Sequence, residues 1–67
     1  MVFKNLRAIR EDNDLRQSDI AKMLNVSQNT YSQYENEKRQ LPIDVLIKLS
    51  EYYKVSTDYI LGLKDEK

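Results

Sequence analysis

The sequence predicts an all-α protein of five short helices, and three observations lead to that fold class. Apolar residues recur at intervals of three and four along the chain, which is the spacing of a helix face buried against a core. The chain contains one Gly and one Pro and few runs of β-branched residues, so it has little of the turn chemistry that β-hairpins need. Its 67 residues are enough for one small domain, which buries roughly 60% of the surface that the unfolded chain exposes.

The first two helices are predicted from apolar spacing. Phe3, Leu6 and Ile9 recur every three residues, and the polar stretch "EDND" at 11–14 ends the first helix. Residues 17–24 repeat the same spacing and form the second helix. The two helices are therefore expected to bury one face each against a common core.

A tight turn is predicted between the second helix and the third, which covers residues 28–36. Asn25 tolerates the left-handed backbone conformation better than other non-Gly residues, so it suits the end of the second helix. Ser27 is a good N-cap because its hydroxyl can accept a hydrogen bond from an otherwise unpaired backbone N–H. Ala21 is small enough to let the two helices cross closely. These features together predict a helix-turn-helix formed by helices 2 and 3.

Two further helices are predicted after a loop at "KRQLP". Pro42 suits the first turn of the fourth helix because its missing N–H has no partner there anyway. The predicted buried stripe of that helix is Ile43, Leu46, Ile47, Leu49 and Tyr53. Val55 and Ser56 open a short fifth helix with the sequence "TDYIL", which Gly62 closes.

The predicted core draws on all five helices and makes one domain. Its members are Leu6, Ile9, Ile20, Ala21, Leu24, Val26, Tyr31, Tyr34, Leu46, Leu49 and Ile60. We expect the folded domain to cover residues 1–63. The charged tail at 64–67 has nothing apolar to bury, so it is expected to fray.

The composition excludes several classes of function. The chain has no Cys and no His, so a zinc site would have to be built from carboxylates alone, and no nucleophile and base pair can be nominated. The sequence therefore argues against an enzyme, a metal site and a cofactor, and it offers no evident site for a small-molecule effector. No apolar run is long enough to span a membrane, and the early acidic residues do not fit a signal peptide, so a cytoplasmic protein is expected.

The third helix has one polar side with almost no charge. Projected at about 100° per residue, Tyr31 and Tyr34 fall on one side and the neutral polar residues on the other. That outward side consists of Gln28, Asn29, Ser32, Gln33 and Asn36. Asn and Gln can pair with both N6 and N7 of adenine in the major groove, which is about 12 Å wide and admits a helix. The same residues would also suit an ordinary solvent-exposed surface, but their position in the second helix of a helix-turn-helix favours contact with DNA bases.

Three stretches carry a resemblance to a known family. They are "LRAIRE", "RQSDIAKMLNVSQNTYSQYE" and "LPIDVLIKLSEYYKVSTDYILG". Over nearly its whole length the chain resembles the Cro/cI-type (XRE-family) helix-turn-helix domains of phage repressors and small bacterial regulators. The resemblance implies a compact five-helix, lambda-repressor-like fold that binds double-stranded DNA.

The resemblance also implies a role for each residue of the binding face. Base edges would be read by Gln28, Asn29, Ser32 and Gln33. Phosphates or the sugar–phosphate backbone would be contacted by Arg16, Gln17, Thr30, Asn36, Lys38 and Arg39. Arg10 and Glu35 match a structural ion pair that ties the first helix to the third.

The chain departs from the family pattern at several positions, and Glu37 and Tyr31 are two that bear on the site. Glu37 stands where a Gly often ends the recognition helix, and its charge is unfavourable there for the helix dipole. Tyr31 replaces an aliphatic residue, so its hydroxyl is expected at the surface.

The net charge is zero, with 11 basic and 11 acidic residues, which is unusual for a nucleic-acid-binding domain. However, a phosphate responds to the charges on the face turned toward it rather than to the total. Arg16, Lys38 and Arg39 belong to the proposed binding side, whereas five of the 11 acidic residues follow residue 43. Asp14, Asp19 and Glu37 still lie near the binding side, so modest affinity per monomer is expected. The charge objection therefore weakens once the residues are assigned to faces.

These features lead to a transcriptional regulator, most simply a repressor, that reads the major groove with helix 28–36. One helix reads only a few base pairs, so a homodimer on a palindromic operator is expected, with half-sites about 34 Å apart. The dimer surface is assigned to Tyr59, Ile60, Leu61 and Leu63, which could equally cover the core. The alternative function is an antitoxin or adaptor whose main ligand is another protein.

Overall fold

The structure is a computed structural model that describes residues 3–66. Within that range it contains five helices and no strand. The helices are α1 (Lys4–Asp12), α2 (Gln17–Leu24), α3 (Gln28–Glu35), α4 (Ile43–Tyr53) and α5 (Thr57–Ile60). The predicted all-α, five-helix fold is therefore confirmed, while residues 1, 2 and 67 of the predicted domain and tail lie outside the described residues.

The start of α2 is held by the carboxylate of Asp19, in the first turn of the helix, rather than by the side chain of the N-cap residue. Arg16 occupies the cap position, and its backbone N–H donates to the Asp19 carboxylate over 2.9 Å. The hydrogen bond from the Arg16 backbone, followed by that from its side chain, lowers the pKa of Asp19. A carboxylate in the first turn also suits the positive end of the helix dipole.

The turn between α2 and α3 forms as the sequence predicts. Asn25 is left-handed, with φ 61°, and the N–H of Val26 donates to the carbonyl of Ala21 over 2.9 Å. The Ser27 hydroxyl accepts from the Thr30 N–H over 3.1 Å and so begins α3. Ala21 is buried in the core. This turn sets the angle at which α3 stands on the molecule.

The ends of α4 and α5 use the same local chemistry. Lys54 takes a left-handed conformation, with φ 58°, after α4, and Ser56 caps α5 through the N–H of Tyr59. Gly62, with φ 80°, ends α5, and the Leu63 N–H returns to the Asp58 carbonyl over 2.8 Å. Gly adopts this conformation without the steric cost that a Cβ would bring.

The core contains most of the predicted residues and three that were missed. Nine predicted members are buried, whereas Val26 and Leu46 are partly buried and pack against the core. The residues missed by the sequence analysis are Val45, Val55 and Tyr59.

The predicted buried stripe of α4 is wrong at two of its five residues, Ile43 and Ile47. Ile43 is 75% exposed and Ile47 is 47% exposed, while Val45 and Leu49 face the core. The helix carries apolar residues on most of its sides, so packing against the other helices, rather than spacing, decides which side is buried. No helix within residues 3–66 combines the length and the apolar character needed to cross a membrane.

Candidate nucleic-acid interface

The polar side of α3 lies on the surface next to the beginning of α2. Gln28 and Asn29 are exposed in the first turn of α3, and Ser32 follows one turn later. Together with Gln17 they line a shallow, open depression of about 400 Å³. The structure thus brings three of the base-reading candidates and one phosphate candidate to a single patch. The first N–H groups of a helix have no partner within it, and in α3 those of Gln28 and Asn29 belong to this patch.

The opposite side of α3 is anchored by two tyrosines. Tyr31 has no exposed surface and Tyr34 is 6% exposed, as expected from the helix projection. The expectation that the Tyr31 hydroxyl lies at the surface is wrong, because that oxygen is buried and makes no regular hydrogen bond within residues 3–66. Burial raises the pKa of Tyr31, and the nearby charge of Glu35 raises it further.

A buried carboxylate holds α3 against α1. Glu35 is fully buried, and the Arg10 guanidinium donates to both of its oxygens over 2.9 and 3.0 Å. Arg10 also donates to the carbonyl of Leu15 over 2.9 Å, which secures the chain after α1. The structure thus joins the two residues that the resemblance pairs, in the two-pronged geometry that is the strongest for Arg and a carboxylate.

Two more groups reach the Glu35 carboxylate. Arg7 donates from Nε over 3.4 Å, and the amide of Gln17 donates over 3.3 Å. Burial is the largest single influence on the pKa of Glu35 and opposes ionisation. The hydrogen bond and charge of Arg10, together with the hydrogen bond from Gln17, outweigh burial and lower this pKa. The hydrogen bond to Glu35 correspondingly raises the pKa of Arg10. Gln17, a phosphate candidate, is thereby tied to the ion pair as well as to the surface patch.

Arg7 lies beside the candidate site, and sequence reasoning missed it. Its Nη2 donates to the side-chain oxygen of Asn36 over 2.9 Å, and the Asn36 amide donates to Ser32 over 3.3 Å. Asn36, a candidate for DNA backbone contact, is thus engaged with α1. The available signal was position, because Arg7 lies three residues before Arg10 and therefore on the same side of α1.

The loop after α3 folds back over the end of the helix. Glu37 adopts the left-handed conformation that Gly usually supplies, with φ 56°. The N–H groups of Lys38 and Arg39 then both donate to the carbonyl of Gln33, over 2.8 and 3.2 Å. The Arg39 side chain continues the same way, and its Nε donates to Oε1 of Gln33 over 2.9 Å. Lys38 is exposed beside it.

The remaining DNA candidates are placed at the edges of the patch. The Arg16 side chain is 82% exposed, with its Nε 3.5 Å from the Asp19 carboxylate. Thr30 is partly buried, and its hydroxyl accepts from the hydroxyl of Ser27 over 2.9 Å. Thr30 is therefore committed to the helix cap, whereas Arg16 is open to solvent.

The predicted dimer surface needs correction at two of its four residues. Tyr59 and Ile60 are 6% and 0% exposed and belong to the core, so they cannot form a surface. Both point inward because the short α5 packs on α1 and α4. Leu61 and Leu63 are 36% and 72% exposed, so they alone remain available.

Comparison with known proteins decides the family. A family model described as "Helix-turn-helix" matches residues 6–60, which include α2, the turn, α3 and most of the core. The chain belongs to the helix-turn-helix family. The match extends from Leu6 in the first helix to Ile60 at the end of the fifth, in agreement with the XRE-type resemblance.

Several known proteins resemble the chain over almost its whole length. The HTH-type transcriptional regulator ImmR of Bacillus subtilis is 44% identical over 63 residues, which are 94% of this chain and 49% of that protein. The uncharacterized HTH-type transcriptional regulator YobD of the same organism is 36% identical over 66 residues, 98% of this chain and 59% of that protein. The antitoxin PezA of Streptococcus pneumoniae is 29% identical over 62 residues, 92% of this chain and 39% of that protein. The chain thus spans between two-fifths and three-fifths of the length of these relatives.

Proposed function

We propose that this helix-turn-helix protein binds double-stranded DNA in a sequence-specific manner and regulates transcription, most simply as a repressor. The observation that carries the proposal is the uncharged polar side of α3. Gln28 and Asn29 stand exposed at its N-terminal end, and buried Tyr31 and Tyr34 hold the helix from beneath. A helix presented in this way can lie in the major groove with its amides against base edges.

The surroundings of α3 support contacts to phosphate. Arg16, Lys38 and Arg39 are exposed at the two ends of the helix-turn-helix. Each phosphate that they neutralise adds roughly −0.9 to the slope of log affinity against log salt. Since bacterial and phage DNA lies in the cytoplasm, a regulator of this kind works there.

The proposed assembly is a homodimer on a palindromic operator. Half-sites one helical turn apart are separated by about 34 Å. The longest dimension of the chain is 29 Å, which is shorter than this separation, so contact between two copies has to be made by side chains that extend toward the partner. Leu61 and Leu63 are the exposed apolar residues that we assign to this contact.

The experiment selects preferred duplexes in vitro and then measures their affinities by fluorescence anisotropy. Gln28→Ala is expected to lose discrimination at one base position by about fivefold or more. Gln40→Ala, which truncates an exposed Gln outside α3, is the matched control and keeps the wild-type base preference. If Gln28→Ala binds every duplex as the wild type does, Gln28 does not read bases.

An antitoxin or adaptor is the second candidate, and the similarity to the antitoxin PezA favours it. In that case the main ligand is another protein, and DNA is secondary. This candidate is supported over the regulator if an unrelated protein copurifies with the chain and the chain shows no salt-dependent binding to DNA.

A further inference from the structure

Arg39 and Gln33 are joined in a way that the sequence did not indicate. Both were assigned to DNA contact, but to separate tasks: Gln33 to a base edge and Arg39 to a phosphate. Instead, Nε of Arg39 donates to Oε1 of Gln33 over 2.9 Å. The two backbone hydrogen bonds onto the Gln33 carbonyl bring Arg39 to this position. The contact therefore follows from how α3 ends.

This contact determines which way the Gln33 amide faces. A guanidinium has only donors, so the atom beside it must be the amide oxygen and not the nitrogen. The NH₂ group of Gln33 is then directed away from Arg39. The amide of an unpaired Gln can rotate to exchange the positions of its oxygen and its nitrogen, whereas the contact with Arg39 favours one orientation of the Gln33 amide.

The contact also puts a positive charge beside the base-reading amide. The terminal nitrogens of Arg39 make no hydrogen bond or ion pair within the described residues, so their donors remain available next to the Gln33 amide. Guanine presents two acceptors in the major groove, N7 and O6, whereas adenine presents one acceptor and one donor. A donor-rich, positively charged unit suits guanine, while an unaccompanied Gln suits adenine.

We propose that Arg39 is a positioning and specificity-determining residue that makes Gln33 select guanine instead of adenine. The inference rests on the proposed DNA-binding function and concerns the same face. Gln33 and Arg39 then read one base position as a unit. The side chain of Lys38, the neighbouring cation in the same loop, makes no hydrogen bond or ion pair to a base-reading side chain within residues 3–66, so it is assigned to phosphate alone.

The test measures affinity for the selected duplex and for its variants at every half-site position. Gln33→Ala identifies the position that Gln33 reads, because base preference falls there. Arg39→Ala is expected to shift the preference at that same position from guanine toward adenine by about fivefold or more. Lys38→Ala is the control, and it weakens all duplexes equally and reduces the salt slope by roughly 0.9. Adding Arg39→Ala to Gln33→Ala produces no further change in base preference.

Two results separate the failure of this inference from the failure of the proposed function. If Arg39→Ala weakens every duplex equally, as Lys38→Ala does, Arg39 serves phosphate only and the inference is wrong while DNA reading stands. If the wild type discriminates among no duplexes, both are wrong. In the free protein, ¹⁵N relaxation of the Gln33 side-chain amide provides a measurement without DNA. Arg39→Ala is expected to increase the mobility of this amide, and equal mobility in both proteins overturns the pairing.

Discussion

At the residue scale, the carboxylate of Glu35 connects three helices. It belongs to α3, and it accepts hydrogen bonds from Arg10 in α1 and from Gln17 in α2. Compared with an apolar pair of similar size, a buried ion pair often adds almost nothing to stability because desolvation offsets attraction, although removing one partner alone is destabilising. Its effect here is geometric, since the fixed donors leave α3 one orientation relative to α1. The face with Gln28 and Asn29 inherits that orientation.

Stability is expected to depend on the ionisation of Glu35. Its pKa is lowered in the folded protein, so between that value and the ordinary value of 4.5 the unfolded chain binds more protons. The stability contributed by Glu35 is therefore present above pH 4.5 and is lost as the pH falls through the folded pKa. Glu35→Gln removes this dependence and lowers the free energy of unfolding at neutral pH by about 2 kcal/mol.

Urea unfolding followed by circular dichroism, at pH values from about 3 to 7, checks this expectation. Glu11→Gln neutralises an exposed carboxylate on α1 and is the control, with a change below about 0.5 kcal/mol at neutral pH. Parallel pH profiles for the wild type and Glu35→Gln would show that Glu35 does not contribute in this way.

At the element scale, the helix ends were predictable and the buried side of α4 was not. A cap joins residues three apart, as Ser27 and Thr30 do, so the sequence alone contains the information. The choice between Val45 and Ile47 as the core residue of α4 depends on where other helices lie. The polar side of α3 was predictable because two tyrosines mark the opposite side. The contacts of Arg7 and Arg39 were not predictable. Arg7 reaches Asn36, which is 29 residues away along the chain. Arg39 reaches Gln33 only because Glu37 takes a left-handed conformation after α3.

The left-handed residues after α3 and α4 provide a prediction about helix ends. Glu37 and Lys54 have φ values of 56° and 58°, a conformation that costs about 1 kcal/mol or more with a Cβ present. Glu37→Gly and Lys54→Gly each remove that cost, although Gly also gains freedom in the unfolded chain. Each variant is expected to gain about 0.5 kcal/mol, which raises the melting temperature by roughly 2–4 °C.

Only the first of these variants is expected to change DNA binding. Glu37 directly precedes Lys38 and Arg39, so Glu37→Gly removes a negative charge from the proposed interface and raises affinity. Lys54→Gly, at the end of α4, is the control and brings no gain in affinity. Differential scanning calorimetry and anisotropy measure the two effects, and a lower melting temperature in both variants would contradict the strain argument.

At the scale of the whole molecule, self-association would need a substantial part of a small surface. A standard interface buries about 800 Å² on each partner, which is roughly a sixth of the 4586 Å² that this chain exposes. Two exposed apolar regions compete for that role. One is formed by Leu61 and Leu63 after α5, and the other by Ile43 and Ile47 on α4. Residue type does not separate them.

The proposed dimer assigns the contact to the region after α5, and a matched pair of variants distinguishes the two regions. Leu63→Gln and Ile43→Gln each replace an aliphatic side chain, 72% and 75% exposed, by a neutral polar one. Neither change removes a core contact, so the free energy of unfolding is expected to shift by less than about 0.5 kcal/mol in both. Leu63→Gln is expected to weaken binding to a palindromic duplex and to leave binding to a single half-site unchanged. Contact between two copies adds to the affinity only when both are bound to the palindrome. Sedimentation and anisotropy on both duplexes measure the difference. A loss of palindrome binding in Ile43→Gln, but not in Leu63→Gln, would move the dimer contact to α4.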